Sequence, residues 1–287
     1  MLLYDYKVYF NKLELQESKA ISLIETKSIL INTSFRLELS NNQNRKVLVT
    51  SNKPFLDNQS EQIINFFVEN VVTFSVERGE NVIYYKLYSE GTEELTKYWL
   101  SHTFLPILFT IENVYYFLHA GAVKIFGYAI LFVADSYGGK STITDFFIRK
   151  GHTMISDDKV AIYGDKSEVF AVPSYPYHRP YRKFEDLGIF VENFAKANTK
   201  MKFIFNLVRV NEDEKVKIEE VIGIEKFRIL KFSTEIELNL NCKARFEMLS
   251  KIANNTKLYN ITIPWKIDRL EEVYEKIINF TKKELNI

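Results

Sequence analysis

The sequence predicts an α/β fold preceded by a β-rich region, and three observations carry that expectation. From Val114 onward, apolar strand-like runs alternate with helical patterns. One of those runs, Tyr128 to Ala134, leads directly into a glycine-rich turn and then an amphipathic stretch. The first part of the chain instead reads as short strands separated by polar turns. A β-rich N-terminal domain is therefore expected over residues 1–100, and the α/β domain over residues 101–287.

In the N-terminal region, Leu2 to Phe10, Ile29 to Leu39, Lys46 to Thr50 and Asn81 to Tyr88 have the composition of strands. Ser40 to Asn44, SNNQN, reads as a hairpin loop, and Ser60 to Asn70 has helical spacing. Thr92 followed by Glu93 and Glu94 is a helix start, and the apolar series Leu95, Trp99, Leu100, Phe104 and Leu105 continues it until Pro106 disturbs or ends it. Beyond that, strands are expected at Tyr115 to Ile125 and Tyr128 to Ala134, then a helix at Ser141 to Lys150. Further strands follow at Thr153 to Tyr163, Glu168 to Val172 and Lys202 to Val210. Cys242 to Ala253, Leu258 to Ile263 and Asp268 to Glu284 close the chain as helix, strand and helix.

Bulk properties exclude several classes. With 38 basic and 37 acidic side chains the formal net charge is +1, so no electrostatic footprint points to nucleic acid or an anionic membrane. The longest apolar runs fall well short of the roughly 20 residues that span a bilayer. The single cysteine, Cys242, can form neither an internal disulfide nor a cysteine-based zinc site. The opening segment lacks the pattern of a signal peptide, and the expectation is a cytoplasmic protein.

The chemistry concentrates at Ala134-Asp135-Ser136-Tyr137-Gly138-Gly139-Lys140-Ser141-Thr142. This matches G-x-x-x-x-G-K-[ST] with Ala134 in the first glycine position. A turn leaving a buried strand can aim successive backbone N–H groups, here over Ser136 to Thr142, at phosphate oxygens. Gly138 and Gly139 let the backbone approach closely, and the following helix adds its N-terminal dipole. Lys140 can bridge the terminal phosphates of a nucleotide such as ATP, and the Ser141 hydroxyl can reach Mg²⁺.

One helix later, Asp157 and Asp158 stand side by side at the end of a short strand. One carboxylate can hold Mg²⁺, directly or through water, while the other accepts a proton from an incoming hydroxyl. His119 sits within an apolar strand, and His152 and His178 read as surface residues. The segment Pro173 to Lys183, rich in proline, aromatics and cations, reads as a loop able to cross the phosphate site. Its Arg179 or Arg182 could neutralise a transferring phosphoryl group.

The ordered series Leu118 to Val123 (LHAGAV), Ala134 to Thr142 (ADSYGGKST) and Arg149 to Asp158 (RKGHTMISDD) resembles the HPr kinase/phosphorylase family and its relatives. The resemblance implies a P-loop kinase core of the type shared with phosphoenolpyruvate carboxykinase. It also implies Lys140 on the β- and γ-phosphates, Ser141 on Mg²⁺, Asp157 as base and Asp158 linked to the metal, the reverse pairing being the alternative. His119 would tune or orient the carboxylates, and a homo-oligomer is implied. The family's downstream glycine-rich signature is not evident, so the resemblance is to HPr-kinase-related enzymes with a different hydroxyl acceptor. The function expected is an ATP- and Mg²⁺-dependent kinase acting on Ser or Thr of a peptide or small protein. A small-molecule alcohol kinase and a nucleotide-binding regulatory protein without phosphotransfer are the alternatives.

Overall fold

The computed structural model describes residues 1–14, 16–31, 33–37, 45–135, 137–180 and 183–287. The chain divides into two compact units. The first comprises residues 1–115, 183–187 and 236–244; the second comprises residues 116–182, 188–235 and 245–287.

The first unit contains, among the described residues, β1 (Leu2–Leu3), β2 (Tyr6–Phe10), β3 (Ala20–Glu25), β4 (Phe35–Leu37), β5 (Val47–Ser51), β6 (Ile63–Val68), β7 (Val72–Glu77) and β8 (Val82–Leu87). They form one sheet in the order β1-β2-β3-β8-β7-β6-β5-β4. The helix expected at Ser60 to Asn70 is instead strand β6, hydrogen-bonded antiparallel to β5 and β7. Its apolar residues satisfy either period, and the β-branched and aromatic run Ile63 to Val68 fits a pleated surface better than a helix. Of the strand expected at Ile29 to Leu39, the described residues include β4, while residues 32, 38 and 39 and the SNNQN loop lie outside the described residues.

Helix α1 (Glu93–Trp99) starts where the sequence predicted, with Thr92 Oγ1 accepting from Leu95 N at 3.2 Å. Pro106 does not end the helical path. A wide turn over Leu100–Phe104 leads into α2 (Leu105–Ile111), which carries Pro106 in its first turn, where a missing N–H costs little. These helices lie with the first unit, later than the expected boundary at residue 100. The reason is packing: Trp99 and Phe104 lie against Phe66, and Phe104 stacks on Phe74 at 5.0 Å.

The second unit carries β9 (Tyr116–His119), β10 (Gly121–Ile125), β11 (Tyr128–Val133), α3 (Lys140–Arg149), β12 (Thr153–Ser156), β13 (Lys159–Asp165) and β14 (Glu168–Val172). It continues through β15 (Tyr177–His178), β16 (Ile189–Phe190), β17 (Thr199–Val210), β18 (Ile218–Val221), α4 (Gly223–Phe232), α5 (Cys242–Asn255, in this unit from residue 245), β19 (Lys257–Pro264) and α6 (Leu270–Leu285). Strand β17 is the spine, parallel to β11 on one side and to β19 on the other.

Burial on both faces explains why β11 reads as an unbroken apolar run. Ala129, Leu131 and Val133 join one core with Leu230 of α4 and Ile252 of α5. Ile130 and Phe132 join the opposite core with Ile143 and Phe147 of α3 and Ile277 of α6. Two expected strands are each divided. Tyr115 to Ile125 breaks at Ala120, and Thr153 to Tyr163 breaks at the aspartate pair.

Candidate functional site

The glycine-rich turn hangs from the end of β11. Gly138 N donates to Asp135 O at 2.9 Å and closes it. Gly139 adopts φ 92°, a left-handed conformation that glycine enters without strain, and α3 begins at the next residue. Gly138 is required for space: a Cβ there would lie 2.6 Å from Ala134 Cβ and 2.8 Å from Asp135 O. The helix has no side-chain cap at Gly139, so the N–H groups of its first turn are left for another acceptor or water. Lys140 is 6% exposed, and its Nζ donates to Ala134 O at 3.0 Å across the mouth of the turn. Ser141 is half-buried and Thr142 exposed on the first turn of α3, Tyr137 projects into solvent, and Ser136 lies outside the described residues.

Strand β10 lies tightly under that helix. A Cβ on Gly121 would lie 2.0 Å from Thr144 Oγ1, which itself donates to Lys140 O at 2.9 Å. Because β10 also pairs with β12, the residues following β12 return beside α3. Asp157 and Asp158 occupy the bend between β12 and β13 and face different partners.

Asp157 is enclosed, only 3% exposed. Its Oδ2 accepts from Arg179 N at 2.7 Å, and its Oδ1 lies 3.0 Å from His178 Nδ1. The other ring nitrogen of His178 lies 3.3 Å from Asp145 Oδ1 on α3. A buried imidazole thus stands between the aspartate of the bend and the helix that follows the turn. This corrects the surface reading of His178, which is 3% exposed. Its burial is built by the short β15–β16 ribbon, where Gly188 comes so close that a Cβ would lie 2.5 Å from His178 O. His152 is also no surface residue; it is half-buried, 3.1 Å from Tyr274 Oη and against Phe147.

Asp158 belongs to a second cluster. Its Oδ1 lies 3.3 Å from His119 Nδ1, and its Oδ2 lies 3.5 Å from Arg179 Nη2. His119 Nδ1 is also 3.1 Å from Glu235 Oε2, while Lys159 Nζ donates to Glu235 Oε1 at 2.5 Å. Burial alone would raise the Glu235 carboxyl. The Lys159 ammonium and His119 outweigh it and bring Glu235 down to about 2. Burial likewise disfavours the Lys159 charge, but Glu235 and Asp158 hold its pKa above the ordinary lysine value. The backbone fixes the frame, with His119 N donating to Ser233 O at 2.7 Å and Ala120 N to Asp158 O at 3.1 Å.

Of the residues singled out in the sequence, Asp158, His119 and Arg179 converge in one cluster, and Arg179 also ties down Asp157. Arg182 lies outside the described residues. Sequence reasoning missed Glu235, Lys159, His178 and Asp145. Asp145 had a local signal, because it lies one turn beyond Ser141 on the same helix; Glu235, 76 residues from Lys159, had none. Among the described residues no group of three or more His, Cys, Asp or Glu side chains is placed to hold a metal ion.

A buried lysine closes a glycine turn at the start of a helix, and an Asp–His cluster stands beside that helix. The chain is 29% identical over 101 residues to the HPr kinase/phosphorylase of Chromobacterium violaceum, covering 33% of this chain and 32% of that protein. It is 27% identical over 104 residues to the HPr kinase/phosphorylase of Latilactobacillus sakei subsp. sakei, covering 34% and 33%. The chain is HPr-kinase-like over that part of its length, and it spans about a third of the curated relatives it matches. No family model matches. The solved Hpr(Ser) kinase/phosphatase from Coxiella burnetii aligns with 60% of this chain and 99% of its own, at a TM-score of 0.38 and 12% identity, a likeness too weak to add to the sequence match.

Proposed function

We propose that this chain is an ATP- and Mg²⁺-dependent kinase that transfers the γ-phosphate to a hydroxyl, on Ser or Thr of a peptide or small protein or on a small-molecule alcohol. The observation that carries the reading is Lys140, buried with its ammonium across the mouth of the turn, where a triphosphate would replace the Ala134 carbonyl as its partner. In this P-loop reading the N–H groups of Gly138 to Thr142 cradle the phosphates and Lys140 neutralises the β- and γ-oxygens. Mg²⁺, held by the Ser141 hydroxyl and the phosphates, would supply further charge neutralisation during transfer.

The base role that the resemblance gives Asp157 is assigned here to Asp158. A base must reach a substrate proton, and Asp157 is enclosed between the Arg179 N–H and His178. Asp158 is the more open carboxylate, and His119 beside it is a quarter exposed. Asp158 is therefore assigned as the base that accepts the hydroxyl proton. His119 orients it, and Glu235 and Lys159 hold His119 in place. Arg179 balances charge as the phosphoryl group moves. Asp157 then acts as a positioning residue that pins Arg179 through its backbone N–H.

The test is transfer of label from γ-labelled ATP into a fractionated lysate and a panel of hydroxyl-bearing peptides. The reading expects a labelled acceptor with the native chain and none with Lys140→Ala. ATP bound through Lys140 with neither label transfer nor consumption would replace the kinase with a nucleotide-binding regulator.

A further inference from the structure

Beside the glycine turn lies an apolar cavity of about 230 Å³ that the phosphate chemistry leaves unused. Its walls include Gly139 and Thr142 from the turn and first helical turn, Ile263 from the end of β19, and Trp265, Ile267 and Leu270 from the segment entering α6. Trp265 reaches the turn itself: a Cβ on Gly139 would lie 3.8 Å from Trp265 Cζ3. The indole is 51% exposed and Ile267 is 70% exposed, so large apolar side chains gather at a concave site next to a cationic one. The Arg209 guanidinium lies 3.2 Å from the indole ring centroid and fixes its orientation from one face.

We propose that this cavity binds the base of the nucleotide, with the purine ring packed against Trp265 and the wall formed by Ile263, Ile267 and Leu270. The inference rests on the kinase reading for the position of the phosphates. A triphosphate cradled from Gly138 to Thr142 with its γ end at Lys140 leaves its nucleoside end near Thr142, which also lines the cavity. The size suits a flat bicyclic ring and is below the roughly 300 Å³ at which pockets for drug-sized ligands begin. The walls are mostly apolar, so the base is recognised by shape and stacking.

The experiment compares calorimetric affinities of Mg²⁺-ATP and Mg²⁺-tripolyphosphate for the full chain and for Trp265→Ala and Trp265→Phe. Stacking of one base on an aromatic ring is worth on the order of tenfold in affinity. ATP should bind the native chain about tenfold more tightly than tripolyphosphate. Trp265→Ala should bring ATP down to the tripolyphosphate value while leaving tripolyphosphate unchanged, and Trp265→Phe should restore most of the difference. Equal affinity of the native chain for both ligands, or equal loss of both in Trp265→Ala, would overturn the base site while leaving the phosphate turn intact. Binding of neither ligand by the native chain would sink the kinase reading and this inference together.

Discussion

Replacing Glu235 with Gln tests the most heavily charged part of the site. The side chain is 19% exposed and lies between Lys159 Nζ at 2.5 Å and His119 Nδ1 at 3.1 Å. Its carboxyl is brought from the ordinary 4.5 to about 2, burial being outweighed by Lys159 and His119. A carboxylate whose folded pKa is depressed stabilises the fold fully above its unfolded pKa, and loses that contribution as pH falls through the folded value. The shift corresponds to about 3 kcal/mol at pH 7, the same order as breaking one partner of a buried ion pair, about 3–5 kcal/mol. These describe one interaction and are not added. Urea unfolding of the native chain and of Glu235→Gln, followed from pH 7 to pH 2.5, should show a stability difference of about 3 kcal/mol above pH 5. The difference should shrink steadily as pH drops from about 4.5 toward 2. A difference that stays constant across that range, or is below about 0.5 kcal/mol at pH 7, would refute the account of the Glu235 cluster.

Other substitutions separate the parts of the site. Gly138→Ala forces a Cβ to within 2.6 Å of Ala134 Cβ; the turn must open, and ATP affinity measured by calorimetry should fall about five- to 150-fold for roughly 1–3 kcal/mol of strain. His178→Ala leaves the Asp157 carboxylate buried beside an empty space, so urea unfolding should show a loss of about 2 kcal/mol. Asp157→Asn keeps the acceptor for Arg179 N, and labelled transfer should fall less than in Asp158→Asn if Asp158 is the base.

The parts of the fold and site that were legible in the sequence are those in which local chemistry and tertiary need coincide. Ala134 to Thr142 could be read because a glycine turn, a lysine and a helix start must be contiguous for a backbone cradle to form. Strand β14 and the alternation around β11 were legible because burial on both faces leaves unbroken apolar runs. Strand β6 was misread because Ile63, Ile64, Phe66, Phe67 and Val68 match helical as well as extended periods, and pairing with β5 and β7 decides between them. His178 looked like a surface residue because its neighbours in sequence are polar or proline-rich. Its burial comes from Asp157, Asp145 and the close approach of Gly188, all contributed by other segments. Glu235 follows a helix end with no motif around it, and its role is visible only once β9 and β13 pair and bring His119 and Lys159 together.

In the proposed reaction a triphosphate held by Lys140 is attacked by a hydroxyl whose proton passes to Asp158. The most direct measurement is transfer from γ-labelled ATP with the native chain and Asp158→Asn, each at saturating nucleotide as established by its own binding curve. In Asp158→Asn the ATP affinity should be nearly unchanged and transfer reduced at least about a hundredfold, the scale of a lost general base. Native-like transfer by Asp158→Asn at saturating ATP would rule out Asp158 as the base.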